Sequence, residues 1–195
     1  MELDQYLYKI KIKCTTAEEL EIVRIAQFIT DDECNLSVYE DLKAGKTDKF
    51  LEHCFANYFI DKYKAGDEQV IEMFTNHYVP LYTKAYDLYI TNKDTCFKEE
   101  KIGYWRKLYE LQDYMRDIFY EQGGKGEFNC DKLILSKKDC EAALEYSRES
   151  LKNMDTTDEN ASWDIQKWQD AIKIFEKAIK ETDWDNETIY YDSWW

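Results

Sequence analysis

Chain breakers are scarce in this sequence, with one proline and six glycines in 195 residues. So few interruptions favour long elements, hence helices over a many-stranded sandwich. Histidine is scarcer still: His53 and His77 are the only two, each on or beside an aromatic-rich helical segment. No G-x-S-x-G, H-E-x-x-H, G-x-G-x-x-G or Walker-type loop occurs, which removes the usual nucleophile, metal and phosphate signatures. The six cysteines, at 14, 34, 54, 96, 130 and 140, contain no C-x-x-C. Their spacings fit neither a zinc ribbon nor a disulfide framework, so they read mainly as small core residues of a protein in reducing cytoplasm. No basic-then-apolar leader and no eighteen-residue apolar run is present. The expectation is therefore a cytoplasmic chain with no membrane partner, no cofactor, no metal site and no catalytic residues.

What is present is apolar and aromatic surface: 44% of residues are hydrophobic and 16% aromatic. A chain of this length suits one domain spanning 1–195 and buries roughly 70% of its unfolded surface, enough to fold without staples. The net charge is −15. That sign repels phosphate backbones, disfavours direct nucleic-acid binding and suits a basic partner. The charge is uneven. Residues 1–100 hold 20 acids and 12 bases and residues 153–195 hold 11 and 4, whereas residues 101–152 balance at 10 and 10.

Tyr6, Tyr8, Ile10, Ile12 and Cys14 alternate with Leu7, Lys9, Lys11 and Lys13, predicting a strand with one apolar and one largely basic face. Thr16 and Glu19 form a capping box for a helix carrying Ile22, Ile25, Ala26 and Ile29. A turn is expected at residues 31–33 and a short extended piece around Leu36 and Val38. One helix after Thr47 carries Leu51, Cys54, Phe55, Tyr58 and Phe59, and Gly66 ends it. Asp67 caps the next, and Pro80 fits the first turn of the one after. The spacing of Trp105, Leu108, Gln112, Met115 and Phe119 predicts a helix over 101–121, stopped by the glycines at 123, 124 and 126. Residues 127–135 read as extended, Ser136 caps a helix with Cys140, Ala143, Leu144, Ser147 and Leu151 inward, and 153–160 form a loop. Ile165, Trp168, Ile172, Phe175 and Ile179 mark the last helix. The tail, 183–195, packs five aromatics among acids, fits a strand, and is expected to pair with the lysine face of the first strand. The fold class is α+β and helix-dominated. A small sheet joins the N-terminal strand, residues 127–135 and the C-terminal tail, with residues 15–100 as a helical insertion.

Several segments together resemble a family of uncharacterised phage and prophage proteins. Met1-Glu-Leu-Asp-Gln-Tyr-Leu is similar to its MGLDMYL opening, and Tyr104-Trp-Arg-Lys107 to the YWRK that begins its central helix. Gly126-Glu-Phe128 followed by Leu135-Ser-Lys137 is similar to its strand-to-helix passage, and Glu187-Thr-Ile-Tyr-Tyr-Asp-Ser-Trp-Trp195 to its EIYYQSSW terminus. Residues 15–100 carry no such likeness. Glu2 and Gln5 stand where the family has Gly and Met, and its I-H-x-W-F histidine is absent. The resemblance implies a phage origin and no particular chemistry.

Three readings of function follow. The first is a non-catalytic phage accessory protein, an anti-defence inhibitor that binds a basic surface of a host defence protein through acidic and aromatic residues. The second is a sponge for a small nucleotide signal, with Arg106 and Lys107 meeting phosphates and the tail aromatics stacking on a base. The third is a phage enzyme of unknown reaction built on carboxylates. The binding residues expected under the first two are Arg106, Lys107, Tyr191, Trp194 and Trp195. The bland alternatives are surface ion pairs of Arg106 and Lys107 with Glu110 or Asp113, and tail aromatics packed into core and sheet.

Overall fold

In a computed structural model, residues 3–30, 32–92, 99–154 and 161–194 are described. The fold is α+β and dominated by helices, with one four-stranded antiparallel sheet in the order β2-β1-β4-β3. The chain divides into two compact units, one made of Met1–Ala17 with Lys98–Trp195 and the other of Glu18–Phe97.

The first unit holds the whole sheet: β1 (Asp4–Ile10), β2 (Glu100–Arg106), β3 (Lys132–Leu135) and β4 (Thr188–Trp194). As expected from the sequence, the N-terminal strand, the segment ending at Leu135 and the tail meet in it. The strand β2 corrects the expected helix over 101–121. Gly103 and Trp105 are buried while Tyr104 and Arg106 are exposed, a period of two rather than 3.6. Trp105 thus meets the same core as the helix that follows, α7 (Tyr109–Glu121), but from a strand. Gly103 explains why a strand fits here. A Cβ at that position would lie 2.8 Å from the Ile174 side chain and 3.2 Å from Leu7.

The inward side of β1 departs from the expected one over residues 5–8, although Ile10 of the expected apolar face is buried. Gln5 and Leu7 are buried with no exposure, whereas Tyr6 and Tyr8 lie on the opposite face and are half-buried. The core beneath the sheet is closed by α7, α8 (Lys137–Asn153) and α9 (Ala161–Glu181). Ser136 caps α8 through a reciprocal pair with Asp139, and the small residues Ala143 and Ser147 are fully buried on its inner side. Trp168, Ala171, Phe175 and Ala178 form the buried stripe of α9, and Phe175 stacks on Trp105 at 5.6 Å between centroids. The loop expected at 153–160 lies mostly outside the described residues.

The second unit is helical: α1 (Ala17–Ala26), α2 (Glu33–Lys43), α3 (Asp48–Cys54), α4 (Asn57–Lys64), α5 (Glu68–Met73) and α6 (Val79–Thr91). Leu36 and Val38 are helical rather than extended. Asp32 caps α2 by accepting the Asn35 N–H, and Asn35, Val38, Tyr39 and Leu42 then fall on one buried stripe. The helix expected after Thr47 is broken at Phe55, whose backbone is extended at φ −131° and ψ 153°. The break lets the Phe55 ring insert among Phe50, Phe74 and Tyr78 at 4.5–5.4 Å. Edge-to-face pairs of this kind each add about 0.5–1.5 kcal/mol beyond burial. A widened π turn over Phe74–Tyr78 precedes Pro80, which has no N–H to give to the carbonyl four residues back.

Candidate functional site

Because paired residues of neighbouring strands project to the same side, the register defines the outer face of the sheet in rows. Arg106, Asp4 and Trp194 form the first row. Tyr104, Tyr6, Asp192 and Lys132 form the second. Lys101, Tyr8, Tyr190 and Ile134 form the third, the slip between Leu7 and Tyr8 bringing Lys101 rather than Ile102 into it.

The tyrosines of this face touch one another. Tyr6 lies 5.2 Å from Tyr104 and 5.8 Å from Tyr8, and Tyr8 stacks on Tyr190 at 5.1 Å. The Lys101 ammonium sits 5.7 and 5.8 Å from the Tyr6 and Tyr104 rings, within cation–π reach. Exposure falls along the ladder. Trp194 and Tyr104 are 49% and 46% exposed, whereas Tyr190 is fully buried and donates its phenol proton to Glu99.

The charges are matched within the face. Asp4 accepts the Tyr104 phenol at 2.6 Å and has Arg106 Nε at 4.0 Å. That hydrogen bond to a carboxylate pushes the Tyr104 phenol up to about 12, since ionising it would set two negative charges side by side. Asp192 pairs with Lys132 at 2.8 Å. Asp192 of the tail therefore finds its lysine on β3, not on the lysine face of β1 as expected, and Lys9 pairs with Glu100, at 3.6 Å.

Of the five residues anticipated for binding, Arg106 and Trp194 come together, on either side of Asp4. Arg106 has the Asp4 carboxylate beside it. Lys107 occupies the strand-to-helix turn with φ 58°, its N–H held by the Leu3 carbonyl at 2.9 Å. Tyr191 is a correction. It points into the core with no exposure, accepting from Gln5 Nε2 at 2.7 Å and donating to Gln112 Oε1 at 2.6 Å. Trp195 lies outside the described residues. The contributors missed by sequence reasoning are Asp4, Tyr6 and Tyr104. Tyr104 was hidden by the helical reading, although the alternation about Trp105 was there to find.

The glycines after α7 line a cavity of about 400 Å³ with Gln122, Lys132 and Ile134. Its lysine is already paired with Asp192. Among the described residues no group of three or more His, Cys, Asp or Glu is placed to hold a metal ion, and no helix is long and apolar enough to cross a membrane. Five of the six cysteines are described, all as thiols. Cys14 and Cys140 are core residues as expected, but Cys34 and Cys130 are exposed. In comparisons with family models, curated proteins and solved structures, nothing matches this chain.

Proposed function

We propose that this chain is a phage-encoded accessory protein that binds and inhibits a host defence protein, docking through the outer face of its sheet. The observation that carries the docking face is the open first row, with Trp194 beside the Asp4–Arg106 pair and Tyr104 next to it. Aromatic side chains held on a rigid sheet lose little conformational entropy on binding and are the usual anchors of an interface. The acids of the face are neutralised by Arg106 and Lys132, so local charge is not what holds a partner there. The net charge of −15 acts at longer range, favouring encounter with a basic surface and weakening as salt screens it. The phage part of the reading rests on the sequence resemblance, and the choice of a basic host surface rests on the net charge.

The nucleotide-sponge reading is favoured less. It needs Arg106 turned to a phosphate, and a carboxylate sits beside that guanidinium instead. The test is capture from a bacterial lysate by the whole chain and by a Tyr104→Ala/Trp194→Ala variant, at low and high salt. A host protein retained at low salt, released at high salt and lost in the variant supports the proposal. A retained set unchanged by the double substitution refutes it.

A further inference from the structure

The helical unit contains a second constellation, independent of the sheet. It begins at the cap of α2. The Thr30 hydroxyl donates to Asp32 Oδ2, and Asp32 Oδ1 accepts the Asn35 N–H at 2.8 Å. These bonds, the one from Thr30 foremost, hold the Asp32 carboxyl below its usual range, so it stands as an acceptor. With its proton committed to Asp32, Thr30 Oγ1 is an acceptor too. Asn35 Nδ2 lies 2.8 Å from Thr30 Oγ1 and 2.9 Å from Asp32 Oδ2. Two acceptors on that side fix the orientation of the Asn35 amide and turn its Oδ1 the other way.

Asn35 Oδ1 accepts the Tyr86 phenol at 3.3 Å and faces His53 Nε2 at 3.1 Å. A carbonyl oxygen has no proton to give, so the ring proton of neutral His53 is on Nε2. The lone pair is then on Nδ1, which lies 3.4 Å from Cys34 Sγ. Asn35 is only 8% exposed, while the Cys34 thiol and the His53 ring are open to solvent. Cys34 and His53 share a cavity of about 260 Å³ with Ser37, Val38, Lys49 and Glu52. On the other side of His53 is a cavity of about 190 Å³ walled by Ile25, Phe28, Tyr82 and Tyr86. Cys, His and Asn in this order of contact, with the imidazole fixed between thiol and amide, form a nucleophilic set that recurs on unrelated folds.

We propose that Cys34 is a nucleophile toward small acyl amides or esters, with His53 as its base and Asn35 as the residue that positions His53. The thiol proton passes to His53 Nδ1 as the sulfur lone pair forms a bond to the acyl carbon. The C–N or C–O bond breaks, and the leaving amine or alcohol takes the proton from Nδ1. Water then gives a proton to Nδ1 and adds to the thioester carbon. The C–S bond breaks, the sulfur recovers the proton, and the free acid departs. The cavity beside the thiol is smaller than most ligand sites, which span roughly 300–1,000 Å³, so the acyl group is about the size of one amino acid. Apolar and aromatic walls on the far side of His53 favour an apolar substituent. Cys54 is not the nucleophile, because burial pushes its thiol up to about 11 and it stands on the side away from the Cys34 contact.

The test uses the whole chain with p-nitrophenyl butyrate, followed by mass spectrometry of the acylated protein. The expected result is a burst of about one p-nitrophenol per chain, with the butyryl group on Cys34, absent in Cys34→Ala and kept in Cys130→Ala. His53→Ala should slow the burst by about 100-fold. Asn35→Ala should slow it while leaving its amplitude unchanged, which a merely structural role would not do. Should that variant fail to fold, nitrogen NMR of the wild-type His53 ring reads the same point, with the proton expected on Nε2. A burst that survives in Cys34→Ala, acylation of a lysine or of Cys130, or a His53 proton on Nδ1 would overturn the proposal. So would the absence of a burst.

Discussion

Asp4 and Tyr104, a hundred residues apart in sequence, are joined across β1 and β2 by a 2.6 Å hydrogen bond that links the first and second rows of the sheet's outer face. The bond ties the phenol to the carboxylate that also faces Arg106, so it orders the candidate docking face before any partner arrives.

The bond has a pH signature. Tyr104 is raised from 10.0 to about 12, chiefly by the Asp4 carboxylate. The folded value lies above the unfolded one. The stabilisation is therefore complete below about pH 10 and is lost as pH rises through about 12. Tyrosinate absorbance, taken as the difference between wild type and Tyr104→Phe, should show this late ionisation. In an Asp4→Asn background the same difference should move back toward 10.

Tyr191 and Trp194, three residues apart on β4, should separate core from surface. Tyr191→Phe leaves the buried Gln112 Oε1 without its donor, while Gln5 Nε2 keeps the Leu108 carbonyl at 3.1 Å. The expected loss is about 1–3 kcal/mol by denaturant unfolding. Trp194→Ala, at a half-exposed position, should change stability by no more than about 0.5 kcal/mol.

Gly103 is required by close packing. A methyl group there meets Ile174 at 2.8 Å and the Trp105 ring at 3.0 Å. Gly103→Ala should cost about 1–3 kcal/mol, and combining it with Ile174→Ala should recover part of that loss. Additive losses in the double variant would show that the contact is not the cause.

Lys107 should behave as a turn residue. Its left-handed backbone suits glycine and is poorly tolerated by a β-branched side chain. Thermal unfolding should find Lys107→Gly as stable as wild type or more so, and Lys107→Val destabilised by about 1–2 kcal/mol.

The parts of this fold that were legible in the sequence are those set by local chemistry. Ser136, Gly66, Asp67 and the Trp168–Phe175 spacing each act within a few residues, and each marks its helix. The pairing of the tail with the first strand was legible because aromatic density and alternation both favour a strand. What was hidden depends on distant partners. Trp105 fits a helical stripe with Leu108 and Gln112 as well as it fits a strand, and only Phe175 and the Gly103 gap decide. Tyr191 alternates like a surface aromatic until Gln5 and Gln112 are brought to its hydroxyl. His53 reads as a lone histidine in sequence, because Cys34 is nineteen residues away and reaches it only through the packing of α2 against α3.

The most direct measurement of the docking face is photo-crosslinking in bacterial cells, with p-benzoylphenylalanine at position 194 and, as a control, at the 74%-exposed position 163. The account predicts a discrete cross-linked host protein from position 194, weakened by Tyr104→Ala, and none from position 163. Cross-links that form equally from both positions, or from 163 alone, would contradict it.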